Sequence, residues 1–292
     1  MRKFDYSFLN NGMLPASLVT LTSNIAVLKT MAGVRKEEYT QIFTELEAVA
    51  KVQSIKSSNA IEGIVTSDER IAAIVNQNSA PLNHNEAEIA GYRDALNEIH
   101  LGYEHIDFRQ SDILRLHEMM MSFADYEYGG QYKTDNNVIL EVDADGNRRV
   151  RFRPTPARET PKAMEQLELA YLDARSDANI NQLLLIPCVI LDFLCIHPFR
   201  DGNGRMSRHS RCCCYTKTAL TPGNMCHSRN RSTTTRRIIT KPCGSPLPVG
   251  KRMKTLISPL LRISCPHSIC AIRNCTSGLQ WYTARRSRRR LV

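Results

Sequence analysis

Between Ile196 and Arg208 the chain reads Ile-His-Pro-Phe-Arg-Asp-Gly-Asn-Gly-Arg-Met-Ser-Arg, directly after the apolar run Leu183–Ile196. This stretch constrains the fold more tightly than any other, because its glycines and charges must be held in a specific geometry by whatever surrounds them. Gly202 and Gly204 open backbone conformations closed to other residues, and Asn203 tolerates the same geometry. Successive N–H groups can therefore turn inward and line a concave anion site. A helix beginning at Gly204 or Arg205 would add its free N–H groups and its dipole. Arg205 and Arg208, three apart on that helix, offer two forked guanidinium groups to phosphate oxygens. Asp201 at the mouth suits a magnesium ion, which takes one or two carboxylates plus the phosphates themselves. His197 is the one nearby group that titrates near neutrality, and a base beside a bound polyphosphate implies activation of an incoming hydroxyl.

The full string resembles the signature of the Fic family, His-x-Phe-x-(Asp/Glu)-Gly-Asn-Gly-Arg-x-x-Arg, matched at every defined position from His197 to Arg208. The resemblance implies an all-α helical bundle of Fic type with a short β-hairpin flap. It implies a nucleotidyltransferase, a protein adenylyltransferase that moves AMP from ATP to a Ser, Thr or Tyr hydroxyl of a target protein and releases pyrophosphate. His197 would deprotonate the hydroxyl, Asp201 would coordinate Mg2+, and the Gly202-Asn203-Gly204 backbone would cradle the ATP phosphates. Arg205 and Arg208 would orient the β and γ phosphates, and Phe199 would anchor the loop in the core. In-line transfer of this kind is catalysed mainly by positioning and charge neutralisation.

A second element lies upstream. Ser58-Asn59-Ala60-Ile61-Glu62-Gly63 alone is a polar helix end with a glycine stop, but beside the downstream loop it resembles the family's inhibitory motif, (Ser/Thr)-x-x-x-Glu-(Gly/Asn). The resemblance implies that Glu62 pairs with Arg208, occupying a phosphate donor and repelling the anion, so that the enzyme is held off in cis. An alternative on the same fold is a de-adenylylating hydrolase in which Glu62 positions water. A third reading is an inactive product whose basic tail binds polyanions nonspecifically, with steep salt dependence as its mark.

The net charge of +10 invites a nucleic-acid partner, but its distribution argues against a specific one. Residues 209–292 hold 17 of the 39 Lys and Arg and none of the 29 Asp and Glu, which leaves 1–208 with 22 basic against 29 acidic groups. Only Cys188 and Cys195 lie before residue 209, both in the apolar run, as expected of small buried hydrophobes in a reduced, cytoplasmic protein. No secretory signal is visible, and the run 183–196, interrupted by Asp192, is too short to span a bilayer. No membrane partner is expected; the oligomeric state is left open, a homodimer included.

Three parts are expected: N-terminal helices with the inhibitory motif (1–80), the catalytic core (81–208) and a basic tail (209–292). Leu18, Leu21, Ile25 and Leu28 recur at helical spacing, as do Ile42, Phe43, Leu46, Val49 and Ala50 after Gly33. Thr66 to Glu69 reads as a capping box. Helices are predicted over 83–100, with Ile89, Tyr92, Leu96 and Ile99 inward, from Ser111 through Met119–Met121, and from an N-cap at Thr160 through Met164, Leu167 and Leu169. His84, His100, His105 and His117 show no metal-ligand spacing and read as surface or satisfied core residues. Pro187 is expected to mark the start of the helix that delivers His197. Asn137–Val142 and Arg149–Phe152 alternate about an Asp-Gly turn at 143–147, a hairpin. By resemblance this is the flap, with Val138, Ile139 and Leu140 clamping the target segment by strand addition. Gly130-Gln131-Tyr132-Lys133 resembles the family's approach to it, where Arg is commoner than Lys133.

After Arg208 the family continues a helix with a leucine-rich face. Here the chain reads His209-Ser210-Arg211-Cys212-Cys213-Cys214-Tyr215 and then basic, Ser/Thr/Pro-rich text, where about ten acids would be ordinary. The cysteines lack the paired spacing of zinc sites. Cys-Cys-Cys-Tyr must be TGY TGY TGY TAY, and shifted one base earlier this contains YTG YTG YTA, which encode only Leu-Leu-Leu. A frameshift at about residue 209 is therefore expected. Loss of the packing helix would expose apolar surface around Val189, Leu191 and Phe193.

Overall fold

The computed structural model describes residues 4–10, 16–124, 126–142 and 148–217. Eight helices lie within them: α1 (Ala16–Glu38), α2 (Thr40–Ile61), α3 (Asp68–Gln77), α4 (His84–Leu101), α5 (Gln110–Met121), α6 (Thr160–Ser176), α7 (Gln182–Ile196) and α8 (Asn203–Lys217). Between α5 and α6, β1 (Ile139–Val142) pairs antiparallel with β2 (Arg148–Phe152), with Leu140 opposite Val150 and a register shift between Ile139 and Leu140. The turn expected at 143–147 lies outside the described residues, as does the tail beyond Lys217.

Helices α7 and α8 are central: α7 packs on α6 and α8, and α8 also meets α2, α4 and α5. Apolar side chains surround α7, where every residue from Leu183 to Phe193 is buried. Such a helix has no solvent face and must be enclosed by others. One apolar cluster joins Tyr6 and Ile25 at the N-terminus to Ile89, Phe108, Leu167, Phe193 and Cys214. The N-terminal segment is tied to α7 by Tyr6, whose hydroxyl donates to Asp192 Oδ2 at 3.0 Å.

Several local expectations need correcting. Helix α7 begins at Gln182, not near Pro187, because Asn181 caps it, its side chain accepting from the Leu183 N–H; Pro187 is carried inside the helix close to its N-terminal end. Ser67 rather than Thr66 caps α3; the Thr66 hydroxyl donates to Glu86 instead. Glu159, not Thr160, stands at the N-cap of α6, and the Thr160 hydroxyl donates to the Pro156 carbonyl. Val49 and Leu169 face solvent. Helix α1 passes through Gly33 without a break. Helix α8 runs past residue 208 to Lys217 with Cys212, Cys213, Cys214 and Tyr215 buried, and Val189, Leu191 and Phe193 are covered.

Among the described residues no helix is long and apolar enough to cross a membrane, and no cluster of three His, Cys, Asp or Glu side chains could hold a metal ion.

Candidate functional site

The loop between α7 and α8 sits at the N-terminus of a buried helix. His197 is the C-cap of α7, in the left-handed region at φ 53° and ψ 63°, its N–H donating to the Phe193 carbonyl at 2.9 Å. Phe199 is fully buried and stacks flat on His117, ring centroids 3.7 Å apart. The Asn203 side chain closes the loop on itself: its amide donates to the Phe199 carbonyl at 2.8 Å and its oxygen accepts the Phe199 N–H at 2.9 Å. Asn203 thus shapes the nest with its side chain as well as its backbone. Gly202, at φ +77°, turns the chain into α8, and the Met206 N–H takes the first helical bond to its carbonyl at 2.8 Å. The helix starts at Asn203, one residue earlier than expected, and its leading amides have no carbonyl one turn below them.

His117 supports the loop from below. It accepts the Gly130 N–H at Nδ1 (3.0 Å), which leaves Nε2 to donate to the Asp201 carbonyl at 3.2 Å. Burial pushes its pKa down to about 4, so the ring is neutral as this bonding requires. Nothing in the local sequence distinguished it from the other core histidines; only its distant partners do.

The predicted phosphate ligands separate into two environments. Arg205 is 2% exposed, ion-paired with Glu88 of α4 and with Asp201 Oδ2 at 3.3 Å. Arg208 lies at the surface of the nest and is held from α2: Nε donates to Ser58 Oγ at 2.5 Å, and Nη2 donates to the Ser58 carbonyl and to Glu62 Oε1, both at 2.9 Å. Glu62 stands just past α2, where Gly63 at φ +84° lets the chain turn away. The room left by the missing Cβ of Gly204 is taken by the Glu62 carboxylate. An anion of the chain itself therefore occupies the start of α8, where dipole and amides favour negative charge.

Burial pushes the His197 imidazole down to about 4; the Leu194 carbonyl and the carboxylates of Asp201 and Glu62 oppose this and Lys133 adds to it. A neutral imidazole at pH 7 can accept a proton. The Asp201 side chain is 56% exposed at the mouth of the loop, and one free-edged carboxylate beside an anion nest fits a magnesium ion that takes its other ligands from phosphate and water. Val138 is exposed, and Ile139 lies opposite Phe152 in the strand pair, where Leu140 also takes part.

Residues 107–211 match the Fic/DOC family, whose members transfer nucleotide-linked groups to proteins. No curated protein matches the chain. Among solved structures, a Fic family protein from Desulfovibrio desulfuricans G20 superposes with a TM-score of 0.69 at 20% identity over 91% of this chain and 76% of its own. A Fic domain containing signaling protein from Bacteroides thetaiotaomicron VPI-5482 gives 0.69 at 17% identity over 87% and 97%. Fic-1 from C. elegans gives 0.62 at 15% identity over 91% and 76%. At these identities the structures speak to the fold alone: the described helices share the fold of Fic family proteins, and the stretch that matches the Fic/DOC family, residues 107–211, contains the loop from His197 to Arg208.

Proposed function

We propose that this chain is a protein adenylyltransferase, moving AMP from Mg-ATP to a hydroxyl side chain of a target protein, and that Glu62 holds it inactive. The observation that carries the proposal is the Glu62 carboxylate over Gly204, bonded to Arg208. That position combines helix amides, dipole and guanidinium, which are the groups a terminal phosphate would need, so carboxylate and nucleotide compete for one place. In the active state Arg208 turns to the phosphates. The Gly202–Gly204 backbone receives them, and neutral His197 takes the proton of the attacking hydroxyl. Arg205, fixed by Glu88, keeps the Asp201 carboxylate aimed at the mouth. Asp201 would hold the magnesium ion, which would neutralise phosphate charge. The β1 edge with Val138, Ile139 and Leu140 would receive the target segment as an added strand.

Intact mass after incubation with Mg-ATP tests this without knowledge of the target, because self-modification adds the mass of AMP. Glu62→Gly is expected to gain labelling over the parent, and His197→Ala in that background is expected to lose it. Undiminished labelling in the double variant would refute the assignment of the base.

A further inference from the structure

The loop bearing His197 is gripped from the segment that leads into β1. Lys133 is 5% exposed; its Nζ donates to the Ile196 carbonyl at 3.1 Å and to Asn137 Oδ1 at 2.7 Å. Its backbone N–H donates to the Pro198 carbonyl at 2.9 Å. The Asn137 amide in turn donates to the Phe199 carbonyl at 3.2 Å. These bonds fall on both sides of His197, the residue in the left-handed region, which a side-chain-bearing residue keeps only when its neighbours hold it there.

We propose that Lys133, steadied by Asn137, is a positioning residue that fixes the direction of the His197 imidazole. A buried ammonium is a costly way to fill a core position, since an apolar chain of the same length would fill it without desolvating a charge. Here the side-chain bonds of Lys133 go to the loop itself and to an amide that also grips the loop. Its backbone bond goes there too. The ammonium also opposes a proton on His197, keeping the base free. Because Asn137 is only two residues before β1, the grip joins the strand pair and the base in one continuous structure. A target segment added to β1 would find the base already aimed.

The catalytic consequence rests on the nucleotidyl-transfer reading; the grip itself does not, and the test separates them. Full-length chains carrying Glu62→Gly are compared with and without Lys133→Met, Lys133→Arg and Asn137→Ala, using ATP labelled on its α phosphate. Lys133→Met is expected to lower kcat on the order of 100-fold, as for a misaimed group, with KM for ATP moving less than about twofold. Lys133→Arg, which keeps charge and donors, restores most of the rate. Asn137→Ala, in a half-buried position, gives a smaller loss and guards against a Lys133→Met chain that does not fold. Independently of activity, deuterium exchange without ATP should quicken at the His197 and Phe199 amides in Lys133→Met and return to the parent rate in Lys133→Arg. Unchanged exchange at those two amides overturns the proposal, and so does quickening spread evenly through α6 and α7, which would make Lys133 a general core residue. If Glu62→Gly alone labels nothing, the transfer reading has failed, and confined exchange at the loop still decides the positioning role.

Discussion

Gly202 is the position where the loop depends on one residue. Its φ of +77° lies in the region that costs other residues about 1–2 kcal/mol, and a Cβ there would stand 2.7 Å from the terminal methyls of both Met120 and Met121. Gly202→Ala is expected to lower stability by about that amount in urea titration, the methionine methyls giving way more easily than backbone would. An unchanged midpoint would mean the turn into α8 can be made another way. Gly204 differs, for it is helical and the space beside it is filled by the Glu62 carboxylate. The two glycines look alike in the sequence, yet one is required by backbone geometry and the other makes room for the Glu62 carboxylate. Arg205 and Arg208 are a similar pair. Their spacing placed both on one helix, but the burial of Arg205 against Glu88 was not legible, since nothing near either residue in the chain links α4 to α8.

At the scale of elements, α8 sets the sharpest question. A helix enclosed by α2, α4, α5 and α7 should be apolar all round, yet its second half places His209, Ser210 and three cysteines in buried positions. Among the described residues both His209 ring nitrogens and the Ser210 hydroxyl lack hydrogen-bond partners, although the His209 ring stacks on Tyr92 at 4.0 Å. Ser210→Ala should therefore stabilise the protein by about 1 kcal/mol, since it removes an unpaired buried hydroxyl and favours helix. A destabilised Ala variant, measured by thermal melting, would show that the hydroxyl has a partner. Polar letters on buried positions are what a shifted reading frame would produce where leucines belong. Resequencing the coding DNA is expected to find one base gained or lost near codon 209, and an uninterrupted frame would refute this. The same helix shows what was legible. Periodicity located α4, read over 83–100 and found at His84–Leu101, and its inward face of Ile89, Tyr92, Leu96 and Ile99. The extent of α8 was not legible, because its composition argues against a helix that only enclosure by four neighbours permits. The cap of α3 fell one residue from the expected place because Thr66 had a partner in Glu86, distant in sequence.

Across the described residues the titration of buried groups gives the fold a direction in pH. Burial holds His100, His117 and His197 down to about 4 and His209 well below its usual value, so all four are neutral in the folded chain and become protonated more readily when it unfolds. Their folded pKa values are depressed, so between about 6.5 and 4 the unfolded state binds the extra protons and stability falls as pH falls. Each fully buried imidazole contributes up to about 1.4 kcal/mol per pH unit within that window. A separate loss follows at lower pH. Glu86, held at about 2 chiefly by Arg70 with the Leu82 N–H and Thr66 hydroxyl, contributes stability above its unfolded value of 4.5 that disappears as pH drops toward 2. Thermal melting should therefore decline steadily as pH falls from 6.5 and decline again below 4.5. His100→Gln should make the first decline shallower and leave the second. A melting temperature constant from pH 7 to pH 5 would mean that these imidazoles are solvated or paired in the folded chain, and that α8 does not pack against α4 and α5 as tightly as its buried side chains require.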